Sequence, residues 1–407
     1  MFRVVRAVAA AWLLAGAPVA AAAQTVLTLE ATIARARDQG GAVVVSRARI
    51  AEAEAALVDA SARLRDNPTV EAAAGPRWGS DPRATDLELV MSQQFETGGQ
   101  RQARIAGARA GVERQRAEVQ QTARNVIFDA ATAFLEAVAA TERLQVAEEG
   151  DSVARELLNA TERRFAFGAI AAIDVNLARI DTARSASTLV SARADLTAVA
   201  GTLRALLRLP ANEPIELRGS LDIAPPPPVD QLAARVEQRP EFDVFGAELR
   251  EGEAQAQLGK ALAGPDVGLR VGYAHEQADK IVLGGLTVTL PTFQRGKGTL
   301  AAGLARASRA RLETEIARET ALAELRTAYA VYEQRTALAA NLQRDSLPSL
   351  ADNETLGRRS YEAGEMNLMD FLLIRRDALD TRMTVIDRRL DAARSRLTVD
   401  FVAGVLR

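Results

Sequence analysis

The chain has 407 residues, with 51 Lys and Arg against 53 Asp and Glu and a formal net charge of −2. Because the charges balance, the composition argues against binding to nucleic acid. The sequence contains no Cys and a single His, His275, which excludes disulfides, thiolate metal sites and a lipid-modified N-terminal cysteine and argues against Ser–His catalysis. We therefore expect no enzyme activity, no cofactor and no resident metal ion.

Residues 1–23 have the features of a secretory signal peptide. Arg3 and Arg6 precede an apolar run at residues 7–20, and three alanines stand before Gln24. An apolar run that is short and rich in Ala favours a cleaved signal over a membrane anchor, the alternative, which needs about 20 strongly apolar residues. No later segment is apolar over that length, so a mature chain that crosses a membrane would have to do so as a closed barrel.

The mature sequence contains two related halves. At a constant offset of 196 residues, Arg163, Arg164, Gly168, Asp174, Arg179 and Asp181 recur as Arg359, Ser360, Gly364, Asp370, Arg375 and Asp377. A period this long fits duplication of a structural half rather than a solenoid repeat. The four consecutive prolines at residues 225–228 are typical of a stiff, extended connection. We predict a first repeat at residues 24–224, a linker at 225–228 and a second repeat at 229–407.

Each half begins with the same order of predicted elements. A helix with apolar residues at three- and four-residue spacing ends at an Asn-Pro or Gly-Pro pair. Two stretches with a period of two follow, which predicts a pair of strands joined by a loop. The predicted helices lie at residues 29–64 and 229–262, the strands at 70–74, 87–92, 267–273 and 286–290, and the loops at 76–82 and 274–280.

Each half then enters a very long helical tract. Residues 84–209 contain no proline and are rich in Ala, Arg, Glu and Leu, a composition typical of long helices or coiled coils. Residues 98–165 alone would form a helix about 100 Å long. Gly168 interrupts this tract and Gly364 interrupts its counterpart, so we predict two long antiparallel helical hairpins. A soluble coiled coil of the spectrin or tropomyosin type would explain the helices but not the four strands.

The number of strands indicates an assembly of several copies. A membrane barrel needs at least about eight strands, because an open edge leaves backbone groups unpaired in lipid. One chain supplies four, so two or three copies related by rotational symmetry would have to share a barrel. Trp78 and Tyr273 lie near predicted strand ends, where they could form an aromatic girdle or pack within loops.

Four motifs follow one another along the chain, at residues 163–168 with Asp174, at 206–210, at 290–298, and at 361–364 with 370–372. Together with the features above, they resemble the TolC-like outer-membrane efflux family, most closely its heavy-metal, CzcC-type branch. The resemblance covers residues 25–407, although Met366 stands where some relatives have a gate arginine.

The resemblance implies a mostly α fold with a small β part. Long antiparallel helical hairpins would form an α-barrel in the periplasm, and four strands per chain would form a shared trimeric twelve-stranded β-barrel in the outer membrane. The implied partners are two further copies, a periplasmic adaptor, an inner-membrane pump of the RND type and outer-membrane lipid. The implied function is a passive exit duct for metal cations or small toxic compounds.

Two alternatives remain open at this point. The chain could be the outer component of a type I protein-secretion or drug-efflux system. In a different class, it could be a periplasmic coiled-coil scaffold, which would require the four strands to be soluble.

The hairpin tips hold the candidate functional residues. Asp174 and Asp370 follow the turn glycines by six residues. They could be first-turn acids stabilised by the helix dipole, or, as the resemblance implies, they could ring a periplasmic gate that selects cations. Such a ring would need compensation by a bound cation or by Arg164, Arg179, Arg359 or Arg375. The residues predicted for the tip turns and the adaptor contact are Phe165, Gly168, Ile170, Tyr361, Gly364, Met366 and Leu368; the alternative for them is packing between the hairpins.

Overall fold

The computed structural model describes residues 25–78, 85–276 and 279–406. The predicted signal peptide at residues 1–23 lies outside the described residues, as do parts of both predicted strand loops. Within the described ranges, no helix is both long enough and apolar enough to cross a membrane.

The elements of both halves include a helical segment, a pair of strands and a long helical hairpin in that order. In the first half they are β1 (Thr25–Leu27), α1 (Leu29–Gln39), α2 (Gly41–Ala60), β2 (Thr69–Pro76), β3 (Thr85–Phe95), α3 (Gln100–Ala166), α4 (Ala172–Leu207) and β4 (Ile215–Leu217). In the second half they are α5 (Val229–Ala233), α6 (Pro240–Ala261), β5 (Asp266–Glu276), β6 (Asp279–Thr289), α7 (Lys297–Asn341), α8 (Leu347–Glu362) and α9 (Leu368–Val402). The short strands β1 and β4 have no counterpart among the described residues of the second half. The predicted linker at residues 225–228 lies between β4 and α5; the exact repeat boundaries stay a prediction.

The helix predicted at residues 29–64 is two helices, α1 and α2, and the prediction of one helix is wrong. The chain leaves the helical conformation at Gly40, with φ −52° and ψ 132°. A Cβ on Gly40 would lie 2.5 Å from the Ala36 carbonyl oxygen of α1 and 2.7 Å from Cγ1 of Val126 on α3, so the break occurs where the chain passes close to the Val126 side chain. Local periodicity contains no signal for this tertiary contact.

The helix predicted at residues 229–262 is also divided. α5 is followed by a 3-10 turn at Val236–Gln238, and α6 starts at Pro240. Arg239 is extended, with φ −67° and ψ 137°, because the proline ring disfavours a helical residue before it. Proline is well tolerated at the first helical position, where its missing N–H would have had no partner.

The long helices and their reversals are confirmed. α3 has 67 residues, which corresponds to about 100 Å, and packs antiparallel to α4. In the second half, α7 and α8 continue one another through a π turn at Leu342–Ser346, and α9 returns. The left-handed residues recur with the duplication: Gly168 corresponds to Gly364, and Arg208 to Gly404.

Four strands form one antiparallel sheet in the order β2-β3-β5-β6. All four are longer than predicted, and β6 begins at Asp279 instead of residue 286, so the loop predicted at 274–280 is much shorter. Gly284 and Gly285 disrupt the alternation there, but pairing with β5 continues up to Glu276 and Asp279. The sequence also gave no indication of the parallel pair formed by β1 and β4, which holds Thr25 beside Ile215.

The main hydrophobic core surrounds the middle of α3. Ile127, Phe134 and Leu135 are almost fully buried there, against Leu203 and Leu207 at the end of α4. A second cluster joins Leu232 and Val236 to α7 and α9. The core is therefore a belt of packed helices. It lies between the sheet, near the start of α3, and the hairpin tips, at the other end of the same helix.

Helices α6 and α7 approach each other through glycines. A Cβ on Gly303 would lie 2.7 Å from the carbonyl oxygen of Gly252 and closer still to the amide nitrogen of Ala256. A Cβ on Gly259 would lie 2.6 Å from Cα of Leu300. Real Cβ atoms do not approach backbone this closely, so these positions require the absence of a side chain.

Candidate functional site

Both hairpin tips are built by the same helix-ending motif. The Gly168 N–H donates to the Phe165 carbonyl at 2.8 Å, and the Ala169 N–H donates to the Arg164 carbonyl at 2.9 Å. The second tip repeats these bonds, with Gly364 N–H donating to Tyr361 O and Glu365 N–H to Ser360 O. This is the Schellman arrangement, which needs a left-handed residue, and φ is 70° at Gly168 and 79° at Gly364. The two glycines therefore make the reversals, as predicted.

The two candidate gate acids lie in the first turns of the returning helices but in different surroundings. At α9, Asn367 Oδ1 accepts the Asp370 N–H at 2.8 Å, and Asn367 Nδ2 donates to Asp370 Oδ2 at 2.9 Å. Asn367 thus caps α9 through the backbone N–H of Asp370, and a second bond joins the two side chains. Asp174 is half-buried, and no side chain caps α4. Helix capping accounts for Asp370, while a role in a ring of carboxylates stays a prediction for both.

Three of the four arginines expected to compensate these acids, Arg164, Arg179 and Arg375, have other partners. Arg179 pairs with Glu162 at 2.9 Å, and Arg164 lies over the Tyr361 ring at 5.3 Å. Among the described residues, no ion pair within 4.0 Å joins Asp174 or Asp370 to a cationic side chain. Compensation of a ring of these acids by Arg164, Arg179, Arg359 or Arg375, or by a bound cation, therefore stays a prediction for the assembly.

Arg375 instead forms a buried ion pair and a hydrogen bond that link the second hairpin to the first. Its side chain is 7% exposed; Nη1 pairs with Asp181 Oδ2 on α4 at 2.8 Å, and Nη2 donates to the Gly150 carbonyl on α3 at 3.2 Å. Within residues 25–78, 85–276 and 279–406, the repeat-equivalent Arg179 pairs only with Glu162, whose side chain is exposed. The two equivalent arginines thus differ: Arg375 forms a buried ion pair between the hairpins, and Arg179 forms an ion pair on the surface.

Several tip residues proposed for an adaptor contact pack between the hairpins. Leu368 is 3% exposed in a cluster with Leu157 and Phe371, against which Tyr361 and Met366 also pack. The rings of Tyr361 and Phe371 are stacked, with centroids 5.3 Å apart. The alternative, packing between the hairpins, describes Tyr361, Met366 and Leu368. The buried side chain of Leu368 is therefore not available to another protein.

The first tip is the more exposed one. Phe165 is 46% exposed and Phe167 is 88% exposed, and Ile170 is half-buried. Ile173, one residue before Asp174, is also largely exposed. An exposed apolar surface at the end of a hairpin is a candidate protein-binding surface. The adaptor contact therefore stays a prediction, and Phe165 and Phe167 are the exposed side chains that could make it.

The sheet has two chemically distinct faces. Residues paired across neighbouring strands share a face, so the pairs Ala72–Leu89, Leu89–Tyr273 and Tyr273–Val282 define one of them. That face is apolar along most of its length. The opposite face carries most of the charged side chains of the strands: Glu71, Asp86, Glu88, Asp266, Arg270, Glu276 and Asp279.

The charge of this polar face is predominantly acidic. Arg270 lies 3.7 Å from Glu88, and Arg77, just beyond β2, bonds both Asp86 at 3.0 Å and Glu276 at 2.9 Å. The polar face therefore carries six carboxylates and, with Arg77, two arginines. These acids were not predicted as functional residues from the sequence. The signal for them is the period-two spacing of Asp86 and Glu88 on β3, with Glu71 on the same face of β2.

The amino-acid sequence is similar to one protein family and to two metal-resistance proteins, in one case over 93% of the chain. The profile of the family described as "Outer membrane efflux protein" matches residues 32–207 and 234–405. The cobalt-zinc-cadmium resistance protein CzcC of Cupriavidus metallidurans is 24% identical over 381 residues, covering 93% of this chain and 90% of that protein. The nickel-cobalt-cadmium resistance protein NccC of Alcaligenes xylosoxydans xylosoxydans is 27% identical over 70% of this chain and 66% of its own length.

The fold is shared with solved outer-membrane channels. The crystal structure of the Campylobacter jejuni CmeC outer membrane channel superimposes with a TM-score of 0.75 at 17% identity, covering 92% of this chain and 85% of that one. At this identity the similarity shows the fold: long helical hairpins joined to a four-stranded sheet.

Proposed function

The chain belongs to the outer membrane efflux protein family, and from this premise we propose that three copies form a passive exit duct for metal cations. The sheet would lie in the outer membrane and the helices in the periplasm. The duct would receive its cargo from an inner-membrane RND pump through a periplasmic adaptor. The observation that carries the proposal is the four-stranded sheet with one apolar and one acidic face and two free edges.

The edges of the sheet support closure by further copies. Among the described strands, β2 pairs only with β3 and β6 only with β5, so each outer edge leaves its backbone N–H and C=O groups without a strand partner. The four strands alternate in direction, so β6 of one copy can pair antiparallel with β2 of the next. Three copies supply twelve strands, more than the roughly eight that a barrel requires.

The two faces of the sheet support the orientation of the duct and the class of its cargo. The apolar face suits contact with lipid, which places the acidic face toward the lumen. A lumen wall with excess carboxylates favours cations over anions. The names of CzcC and NccC concern resistance to cobalt, zinc, cadmium and nickel, which supports metal cations as the cargo in preference to uncharged drugs.

The first prediction tests the assembly and its selectivity. The detergent-solubilised protein is expected to be trimeric by light scattering, because four strands cannot close a barrel. In planar lipid bilayers it should conduct and should favour K⁺ over Cl⁻ in a salt gradient. A monodisperse monomer that does not conduct would contradict the duct. A trimeric pore that prefers anions would contradict only the metal cargo and favour the drug-efflux alternative.

The second prediction concerns the tip acids. In the double variant D174N/D370N, block of the channel by divalent cations from the periplasmic side should weaken roughly tenfold, because up to six converging carboxylates would lose their charge. D195N is the matched control, since Asp195 is an exposed acid on α4 far from the tip. Equal block in the wild type and the double variant would show that these acids do not ring the entrance.

A further inference from the structure

The apolar face of the sheet carries a lysine and a histidine side by side. Lys280 on β6 pairs in register with His275 on β5, and His275 pairs with Leu87 on β3. Because residues paired across strands share a face, all three lie on the face that also holds Leu89 and Tyr273. Within the described strands, Lys280 is the only charged residue on this face. A cation there is an exception that needs a physical reason.

The pair lies at the end of the sheet that is remote from the helices. His275 is the next-to-last residue of β5 and Lys280 the second residue of β6, beside the connection between these strands. Helices α2, α3, α6 and α7 all join the sheet at its other end. With the helices in the periplasm, this end would lie at the outer surface of the membrane. A lysine is tolerated at the border of a lipid-facing apolar band but is costly at its middle.

Aromatic residues lie at the same end of the sheet. Tyr273 is half-buried and stands two residues before His275, so the two side chains share a face. Trp78 follows the end of β2 and is 86% exposed. Tyrosine and tryptophan are enriched where lipid meets water, because one part of each ring system is apolar and the other is polar. The aromatic residues thus place the Lys280–His275 pair at the level of lipid headgroups, independently of its charge.

The chain itself does not neutralise Lys280. Among the residues that the structure describes, neither Lys280 nor His275 has a hydrogen-bond or ion-pair partner. The adjacent acids Glu276 and Asp279 pair with each other in register and belong to the opposite, acidic face. Glu276 is bonded there to Arg77 at 2.9 Å. The cation on the apolar face is therefore available to an anion from outside the chain.

The distribution of lysine in the sequence agrees with a position at the membrane border. The chain contains only three lysines, Lys260, Lys280 and Lys297, and all its other cationic side chains are arginines. Lys260 stands shortly before β5 and Lys297 shortly after β6, so all three lysines flank the sheet. The long stem of lysine lies along apolar surface while its ammonium group reaches the polar headgroups.

On the premise of the duct proposed above, we propose that Lys280 and His275 bind a phosphate group of an outer-leaflet lipid. Residues directly opposite each other on neighbouring strands have Cβ atoms about 4.5–5.5 Å apart, so both side chains can reach one phosphate. The ammonium group supplies the charge and three donors, and a neutral imidazole supplies one N–H. Because His275 Nδ1 is enclosed, Nε2 is the donor. Leu87 and Val282, which are 46% and 72% exposed, contact the acyl chains.

The test is native mass spectrometry of the intact detergent-solubilised protein titrated with bisphosphorylated lipid A. We expect saturable binding that is at least about fivefold weaker for lipid A stripped of its phosphates, because the acyl chains alone would remain. K280Q should weaken binding of the phosphorylated lipid roughly fivefold, the effect of one basic residue at an anionic membrane surface. H275F keeps an aromatic ring but loses the N–H, so it should weaken binding by a smaller factor, roughly twofold.

K297Q is the matched control, since it removes the same charge from an exposed lysine at the other end of the sheet, and it should bind the lipid as the wild type does. Equal weakening in K280Q and K297Q would show only a general attraction to lysine and would overturn the site. Wild-type binding in K280Q, or displacement of the lipid by inorganic phosphate at equal ionic strength, would also overturn it.

The outcome is separable from that of the duct. A protein that is monomeric and does not conduct would contradict the duct and the lipid site together. A conducting trimer in which K280Q binds lipid A as tightly as the wild type would contradict the lipid site alone. Both Lys280 and Lys297 are exposed, so neither substitution removes a buried contact that folding requires.

Discussion

Gly303→Leu is expected to prevent formation of a stable folded protein. Gly303 lies where α7 contacts the backbone of α6, and even a Cβ there would approach the Gly252 carbonyl oxygen to 2.7 Å. A leucine side chain would force the two helices apart along their length. Overpacking of this kind typically costs about 1–3 kcal/mol for small insertions and more for large ones. Gly303→Ala should therefore lower the unfolding temperature measurably, and Gly303→Leu should abolish the trimer on a sizing column.

Gly201→Ala is the matched control for this prediction. Gly201 lies inside α4, and a Cβ there would meet no atom within 4 Å. Alanine at this exposed helix position should leave stability unchanged or raise it by up to about 1 kcal/mol, because it restricts the unfolded chain. If Gly303→Ala were as stable as Gly201→Ala, the close contact between α6 and α7 would be refuted.

Arg375→Met is the second change for which we expect a large effect. It removes the cation from a buried ion pair and leaves Asp181 and the Gly150 carbonyl without their partner. Breaking a buried pair on one side costs about 3–5 kcal/mol, and the 20% exposure of the Asp181 side chain places this pair at the lower end. The second hairpin should detach locally from the first, so limited proteolysis should cleave the tips faster than in the wild type.

The duplication provides the control for Arg375→Met. Arg179 occupies the equivalent position 196 residues earlier, but its ion pair with Glu162 is exposed, at 61% and 42% for the two side chains. An exposed pair contributes less than about 1 kcal/mol. Arg179→Met should therefore leave the rate of proteolytic cleavage nearly unchanged. Equal cleavage rates for the two variants would count against a stabilising Arg375–Asp181 ion pair between the hairpins.

The resemblance to efflux channels predicted the architecture, but the structure separated two kinds of tip residue. Phe165 and Phe167 are available to a partner, whereas Leu368, Tyr361 and Met366 pack within the chain. Both groups have the same apolar character, and Phe165 and Tyr361 each precede their turn glycine by three residues. Their difference arises because the second tip packs against α3 and α4, a contact that no local pattern encodes.

The sequence by itself determined the features that depend on neighbouring residues. A proline-free tract rich in Ala, Leu, Arg and Glu forms α3 because helix formation is local. Gly168 and Gly364 reverse the chain because the left-handed backbone there suits a residue without a Cβ. Alternating residues marked the strands because the side chains of a strand point to opposite faces in turn.

The tertiary structure alone decided the features that depend on distant segments. The helix break at Gly40 lies against the Val126 side chain, β6 extends back to Asp279 because β5 pairs with it, and Arg375 is buried where Arg179 is exposed. Gly40 is 86 positions from Val126, and Arg375 is 194 positions from Asp181 and 225 from Gly150. Contacts over such separations are set by how whole helices and strands pack, so residue type and spacing do not determine them.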